Sequence, residues 1–404
     1  MVGRKLLERI AIVSGVRTPV GRFGGSLKNV QASSLAASVL RECIRRANID
    51  AGEVDEVIMG HVLVNGETPN VARIALLEAG FPVSVPAYSL DRQCGSGLQS
   101  VLNGAMQIST GQASIVLAGG VESESNAEYY LAGARWGLRF GSRDLKDRLQ
   151  GTDTMVSCPS HYSDVGGMLD TAERLANQYR ISRQRQDEFA LLSHQKAVSA
   201  VANGIFTDEI LPISKDETGE EEGVLSRDEH PRPDTSIEKL ASLKPLRQGG
   251  TVTAGNASGI NDGAAAVLLM TETMAKDRGL EPLGYVGQWS VVGTHPGVMG
   301  IGPAVAIRDL LGKARRSLED VSLIELNEAF AAQALAVLDE LDVYDYSNVN
   351  VNGSGISLGH PLGATGARIL VSLVYEMRRR DSKIAIESMC IGGGMGLAAF
   401  IERD

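Results

Sequence analysis

Residues 87–120 read AYSLDRQCGSGLQSVLNGAMQISTGQASIVLAGG, and the fold is decided in this stretch. Ala87–Asp91 reads as a strand, Gly95 to about Thr110 as a helix, and Ser114–Ala118 as a second strand running into Gly119–Gly120. Strand, helix and strand in that order form a βαβ unit, the grammar of an α/β protein. Outward toward the start lie a strand at Ile10–Ser14, a helix at Ser34–Ala47 and a strand around Val57–Met59. Ala36, Val39, Leu40, Cys43, Ile44 and Ala47 line one face of that helix, which makes Cys43 a core residue.

The last third repeats the pattern. A strand near Leu283–Val292, a helix near Ala304–Ala314, a strand near Leu323–Glu325 and a helix Ala329–Leu341 are followed by an extended run at Asn348–Asn352. A glycine-rich turn, a helix from Gly363 to about Arg378, a strand at Lys383–Ser388 and a terminal strand at Leu397–Ile401 complete it. The expectation is two pseudo-equivalent βαβ-type halves. The run before Cys94 then corresponds to Asn348–Asn352, Cys94 and His360 occupy related junctions, and a pseudo-twofold axis brings the two helix starts together. Between the halves the grammar changes to polar helices, Met168–Tyr179 and Ser182–Val201, with Ser182 as an N-cap, and to a charged, proline-rich stretch Lys215–Pro233. The expected division is an N-terminal half over 1–123 completed by about 252–280, an inserted lid subdomain over 124–251, and a C-terminal half over 281–404.

At 404 residues the chain exceeds the roughly 250–300 at which single cores stop growing. Forty-six glycines against seven phenylalanines and two tryptophans point to tight turns and close backbone approaches. A net charge of −10 argues against a nucleic-acid role, which needs a basic face. No apolar run is long enough to span a membrane, and the opening MVGRKLLERIAIVSGVRTP meets charge before a signal-type core can form, so a cytoplasmic location is expected. The four cysteines, Cys43, Cys94, Cys158 and Cys390, form no CxxC pair, and no metal site is expected.

Chemistry concentrates at four places. Cys94, in Asp91-Arg92-Gln93-Cys94-Gly95-Ser96-Gly97, stands where a strand ends and a helix begins. There the helix macrodipole and free N–H groups favour thiolate, and Gly95 and Gly97 let a thioester approach backbone donors. On local sequence alone, a small buried cysteine in a turn is an equal reading. His360, in Gly359-His360-Pro361-Leu362-Gly363, is either a structural loop histidine or a base able to take the Cys94 proton. Cys390 precedes Gly392-Gly393-Gly394, and a terminal strand follows where a dinucleotide-binding turn would need a helix. It is a second acid/base thiol or a packed cysteine. Asn327, in Asn327-Glu328-Ala329-Phe330, caps a helix or holds a water or a substrate oxygen.

Taken together and in order, RQCGSGLQ, AGGVESESNA, GTVTAGNASGINDGAAA, MGIGP, NEAFAAQ, GHPLGATGARI and CIGGGMG resemble the thiolase family over nearly the whole chain. That resemblance implies the thiolase-like fold, with central helices between layered sheets, and a ping-pong acyltransferase of fatty acid metabolism. Such an enzyme condenses two acyl-CoA, typically acetyl-CoA, or thiolyses 3-oxoacyl-CoA with CoA through an acyl-Cys94 intermediate. It implies that His360 deprotonates Cys94 and that Cys390 exchanges the α-carbon proton. Asn327 holds a water that forms one oxyanion site with His360, and the N–H groups of Cys94 and Gly392 form the other. CoA and acyl-CoA are then substrates with no prosthetic group, contacted by Arg232, Ser258, Met168, Met299 and Phe330. A homodimer or homotetramer is implied. Two departures stand out: Gly166-Gly167-Met168 lacks the histidine that often precedes this methionine, with His161 a candidate stand-in, and Leu243-Lys244-Pro245-Leu246-Arg247 lacks an aromatic residue common near CoA. The alternatives are a 3-oxoacyl synthase of the same fold, which usually carries a second histidine at the Asn327 or Cys390 position, and a non-catalytic acyl-CoA binder.

Overall fold

A computed structural model describes residues 8–150, 158–159, 165–214 and 224–404. The first half contains β1 (Ile10–Arg17), α1 (Ala32–Ala47), β2 (Glu56–Gly60), α2 (Val71–Glu78), β3 (Ala87–Leu90), α3 (Ser96–Ser109) and β4 (Ile115–Ser123). The helices α4 (Met168–Gln178) and α5 (Arg183–Ala202) and the strand β5 (Asn261–Thr271) follow. The second half contains β6 (Gly284–Gly293), α6 (Gly302–Ala314), β7 (Leu323–Leu326), α7 (Ala331–Glu340), α8 (Thr365–Arg380), β8 (Ile384–Ile391) and β9 (Met395–Glu402).

The main strands are hydrogen-bonded in the order β7-β8-β9-β6-β1-β5-β4-β2-β3. This order is two copies of one pattern joined edge to edge. In the first, β2 runs parallel to β3 and β4, and β5 is antiparallel to β4 and β1. In the second, β7 runs parallel to β8 and bridges in parallel to Val349, while β9 is antiparallel to β8 and β6. The copies meet where Ile10, Ala11 and Ile12 of β1 pair with Val286, Tyr285 and Gly284 of β6. Val349 thus stands where β3 stands, and the related positions of Cys94 and His360 follow from the topology. Asn348–Asn352 forms only this isolated bridge rather than a full strand.

Helices α3 and α8 lie in the middle, their apolar faces sharing one core with inward residues of both sheet halves, such as Leu98, Leu102, Val267, Leu370, Val374 and Leu397. Outside, α1 and α2 cover the first half and α6 the second. The central crossing depends on missing side chains. A Cβ on Gly97 would lie 2.7 Å from the Ala367 nitrogen, and one on Gly366 would lie 2.4 Å from the Leu98 nitrogen. Both α1 and α8 end in the last-turn pattern that suits the negative end of a helix, with Arg45 and Arg46 in one and Arg378 to Arg380 in the other. Each then stops at a left-handed residue, Asn48 or Asp381.

β5 was not anticipated as a strand. Its Asn261-Asp262-Gly263-Ala264-Ala265-Ala266 opening has low strand propensity, yet all but its last residue are buried, with α1 on one face and α3 and α8 on the other. The intervening segment packs α4 and α5 against α7 through Leu175, Phe189, Ala190 and Leu335. Ser182 caps α5 by accepting the Arg185 N–H. The segment is also tied to β1 by the fully buried Arg17, which donates to Glu209 at 2.6 Å and to both oxygens of Asp228 at 2.7 and 2.9 Å. Cys43 is a core residue, fully buried on α1.

Candidate functional site

Cys94 follows a backbone turn that few residues adopt. Gln93 has φ +48°, a left-handed conformation costing about 1–2 kcal/mol for a residue with a Cβ. Ser96 stabilises the turn by accepting the Arg92 N–H at 2.8 Å and donating to the Gln93 carbonyl at 2.7 Å, and Asp91 accepts the Gln93 N–H at 2.6 Å. The thiol is therefore presented by a rigid corner ahead of α3.

A cavity of about 580 Å³ opens onto this corner. Cys94, His360, Cys390, Arg232, Ser258, Met168, Met299 and Phe330, eight of the ten predicted site residues, line it. The other two adjoin it. Asn327 places its side-chain nitrogen 3.4 Å from His360 Nε2, and the Gly392 N–H interacts with the Cys94 sulfur. Cys390 packs with Met299 and Ala329. Arg232 is exposed at the rim. Ser258 is fixed through its backbone N–H, which donates to Ala329 O at 2.9 Å. At the departures, Gly167 is the N-cap of α4 and Leu246 lines the cavity. His161 lies outside the described residues.

The state of the thiol corrects one expectation. The end of a helix was expected to favour thiolate, but burial dominates and pushes Cys94 up to about 12, against the opposing help of the Gly392 N–H and its own N–H. Asp91 and Glu124 add to the upward shift. Cys390, fully buried and close to Cys94, is pushed up as well. His360 is pulled down to about 3, by burial first and by Arg368 second. The resting centre is thus two thiols and a neutral imidazole, not a thiolate–imidazolium pair.

Which nitrogen of that imidazole carries the proton follows from its neighbour. Thr365 donates its hydroxyl hydrogen to Pro361 O at 2.8 Å, so its oxygen accepts from His360 Nδ1–H at 2.6 Å. Nε2 is then the free base, turned toward Asn327. The His360 N–H donates to Asn261 Oδ1 at 2.9 Å. Thr365 and Asn261 were both missed as site residues. Their signal was present only as five-residue spacing from His360 and as an asparagine in the GIND stretch.

Among the described residues no group of three or more His, Cys, Asp or Glu could hold a metal ion, and no helix is long and apolar enough to cross a membrane. The arrangement suits nucleophilic thiol chemistry with a neutral base, a second thiol as proton carrier, and convergent N–H donors.

Comparisons with known proteins cover nearly the whole chain. Residues 10–273 match the family model of the thiolase N-terminal domain, and residues 280–403 match that of the thiolase C-terminal domain. The acetyl-CoA acetyltransferase of Pseudomonas aeruginosa is 47% identical, covering 98% of this chain and 100% of its own. Its Escherichia coli counterpart is 46% identical with the same coverage. The crystal structure of the Bacillus anthracis acetyl-CoA acetyltransferase aligns with a TM-score of 0.92 at 48% identity, covering 98% of this chain and 99% of its own. That of human mitochondrial 3-ketoacyl-CoA thiolase in complex with CoA aligns at 0.92 and 42% identity, covering 99% of each.

Proposed function

From the membership of this chain in the thiolase family, whose N- and C-terminal domain models it matches over residues 10–273 and 280–403, we propose a thiolase mechanism carried by Cys94, His360 and Cys390. The chain is an acyltransferase enzyme that thiolyses 3-oxoacyl-CoA with CoA or runs the reverse condensation. The observation that carries the assignment of roles is the meeting of the two thiols and a His360 with a free Nε2 in one cavity.

In the thiolytic direction, Cys94 Sγ attacks the 3-oxo carbon while its proton passes to His360 Nε2. A neutral pair suits this concerted transfer, because neither group has to be charged before substrate arrives. The developing oxyanion is held by the N–H groups of Cys94 and Gly392, both of which already address the Cys94 sulfur. Such donors are worth about 2.7–4 kcal/mol each. The bond between C2 and C3 then breaks. The departing enolate carbon takes the Cys390 proton, with the enolate oxygen facing His360 and a water on Asn327. This leaves acetyl-CoA, an acyl-Cys94 thioester and a Cys390 thiolate. CoA next gives its thiol proton to Cys390 and attacks the acyl carbon, and Cys94 leaves, recovering its proton from His360. Every atom and proton is returned, and the condensation is the same path reversed.

For CoA, Arg232 at the rim suits the anionic nucleotide end, while Ser258, Met168, Met299 and Phe330 suit the pantetheine arm. Residues 124–251 form the inserted subdomain in this reading, set between the halves 1–123, with 252–280, and 281–404. A cytoplasmic homodimer or homotetramer serving fatty acid metabolism is the accompanying proposal, checked by sedimentation. The direct test is incubation with acetoacetyl-CoA and CoA. Release of acetyl-CoA is expected; tight binding without release would assign a carrier, and condensation dependent on malonyl donors alone would assign a 3-oxoacyl synthase.

A further inference from the structure

The loop that carries His360 is suspended by its backbone. His360 N–H donates to Asn261 Oδ1 at 2.9 Å, Pro361 has no N–H, Leu362 N–H donates to Glu124 Oε1 at 3.2 Å, and Gly363 N–H donates to Glu122 Oε2 at 2.8 Å. Every N–H from 360 to 363 is therefore spent on a side chain outside the C-terminal half, that of Asn261, Glu124 or Glu122. Glu124 holds the system twice, since its other oxygen accepts the Asn261 N–H at 2.9 Å. Asn261 is in turn anchored by donating to Gly21 O at 2.9 Å.

Glu122 and Glu124 differ in what else they see. Glu122 is fully buried and also takes the N–H groups of Val62 and Leu63, each at 3.1 Å, with His61 Nε2 at 3.3 Å. Glu124 lies in the wall of the cavity that contains Cys94. Its titratable neighbours are Glu122, near the end of β4, and Asp262 on β5, with Arg22, His230 and Arg232 lining the same cavity and Cys94 across it. None of the described salt bridges involves Glu124, and burial, with Glu122 beside it, pushes its carboxyl well above the usual carboxylate range.

We infer that Glu124 is a positioning residue: its two oxygens, one on the Leu362 N–H and the other on the Asn261 N–H, hold the His360 loop at the geometry needed for proton transfer. The inference rests on the thiolase reading above.

Two variants test this. Glu124→Gln sets an NH2 group against one of the two N–H donors, and Glu124→Asp falls short of Leu362 and Asn261. Both should lower kcat for acetoacetyl-CoA thiolysis by about 10- to 100-fold with KM within threefold, as expected for a displaced base. Iodoacetamide alkylation of Cys94 without substrate is the second readout, and it should stay within twofold of the wild-type rate in both variants, because the suspended loop carries His360 and not Cys94. Folding of each variant is checked by circular dichroism and melting temperature, and Glu124→Asp alone still tests the positioning action if Glu124→Gln does not fold. A kcat within twofold of wild type in either folded variant, or Cys94 alkylation that falls in step with kcat, overturns the inference. Wild-type protein that fails to release acetyl-CoA overturns the thiolase reading instead.

Discussion

Replacing Thr365 by valine removes one hydroxyl and tests whether the tautomer of His360 matters. In the native site the Thr365 oxygen accepts Nδ1–H at 2.6 Å, and its own hydrogen goes to Pro361 O. Pro361 O does not suffer from the change, because it also accepts the N–H groups of Ala364 and Thr365, each at 2.9 Å. The whole effect falls on Nδ1–H, left buried beside a methyl group at a cost of about 1–3 kcal/mol. The imidazole can escape by moving its proton to Nε2, where the buried, unpartnered Asn327 Oδ1 could accept it after a half-turn of the amide. That escape destroys the base. Either way a loss of roughly 5- to 150-fold in kcat is expected, at 1.36 kcal/mol per factor of ten. The assay is single-turnover acylation of Cys94 by acetoacetyl-CoA, followed by mass spectrometry, beside steady-state kcat and KM. Thr365→Ser should recover most of the rate. If Thr365→Val acylates within twofold of wild type at an unchanged melting temperature, the reasoning from the Thr365 hydrogen bond is wrong.

Three further outcomes are expected. Cys94→Ser should abolish covalent labelling by acetyl-CoA, whereas Cys390→Ala should keep that labelling and lose carbon–carbon bond formation; the reverse pattern would exchange their roles. Because burial pushes Cys94 from 9.0 to about 12, iodoacetamide alkylation of the free enzyme should keep rising beyond pH 9 rather than level off there. The unfolded chain ionises first, so this thiol's contribution to stability is intact below pH 9 and is lost as pH rises toward 12. Gly97→Ala should destabilise the protein by about 1–3 kcal/mol in urea unfolding and reduce activity further, since the new Cβ meets backbone 2.7 Å away and separates α3 from α8. An alanine variant with native stability and activity would show that the crossing is not tight.

Much of the fold was legible because its signals are local. Strand, turn and helix around Cys94, the Ser182 cap and the matching rhythm of the last third each follow from periodicity within about 20 residues. β5 was not, since its alanines satisfy no local strand preference; they suit a strand enclosed by helices on both faces. The candidate site divides in the same way. Cys94, His360, Cys390 and Asn327 stand at sequence junctions that draw attention by themselves. Thr365, Asn261 and Glu124 do not, because each acts by accepting a hydrogen from a group placed there by the fold.

The sequence by itself determined the two-halved α/β plan, the thiolase resemblance and which residues could do chemistry. Only the tertiary structure decided their condition. A helix start beside a cysteine suggests a thiolate, but burial between both halves makes desolvation the larger effect, and the centre rests as thiol and neutral imidazole. Desolvation depends on everything packed around a group, and that enclosure brings together residues as distant as Cys94 and His360.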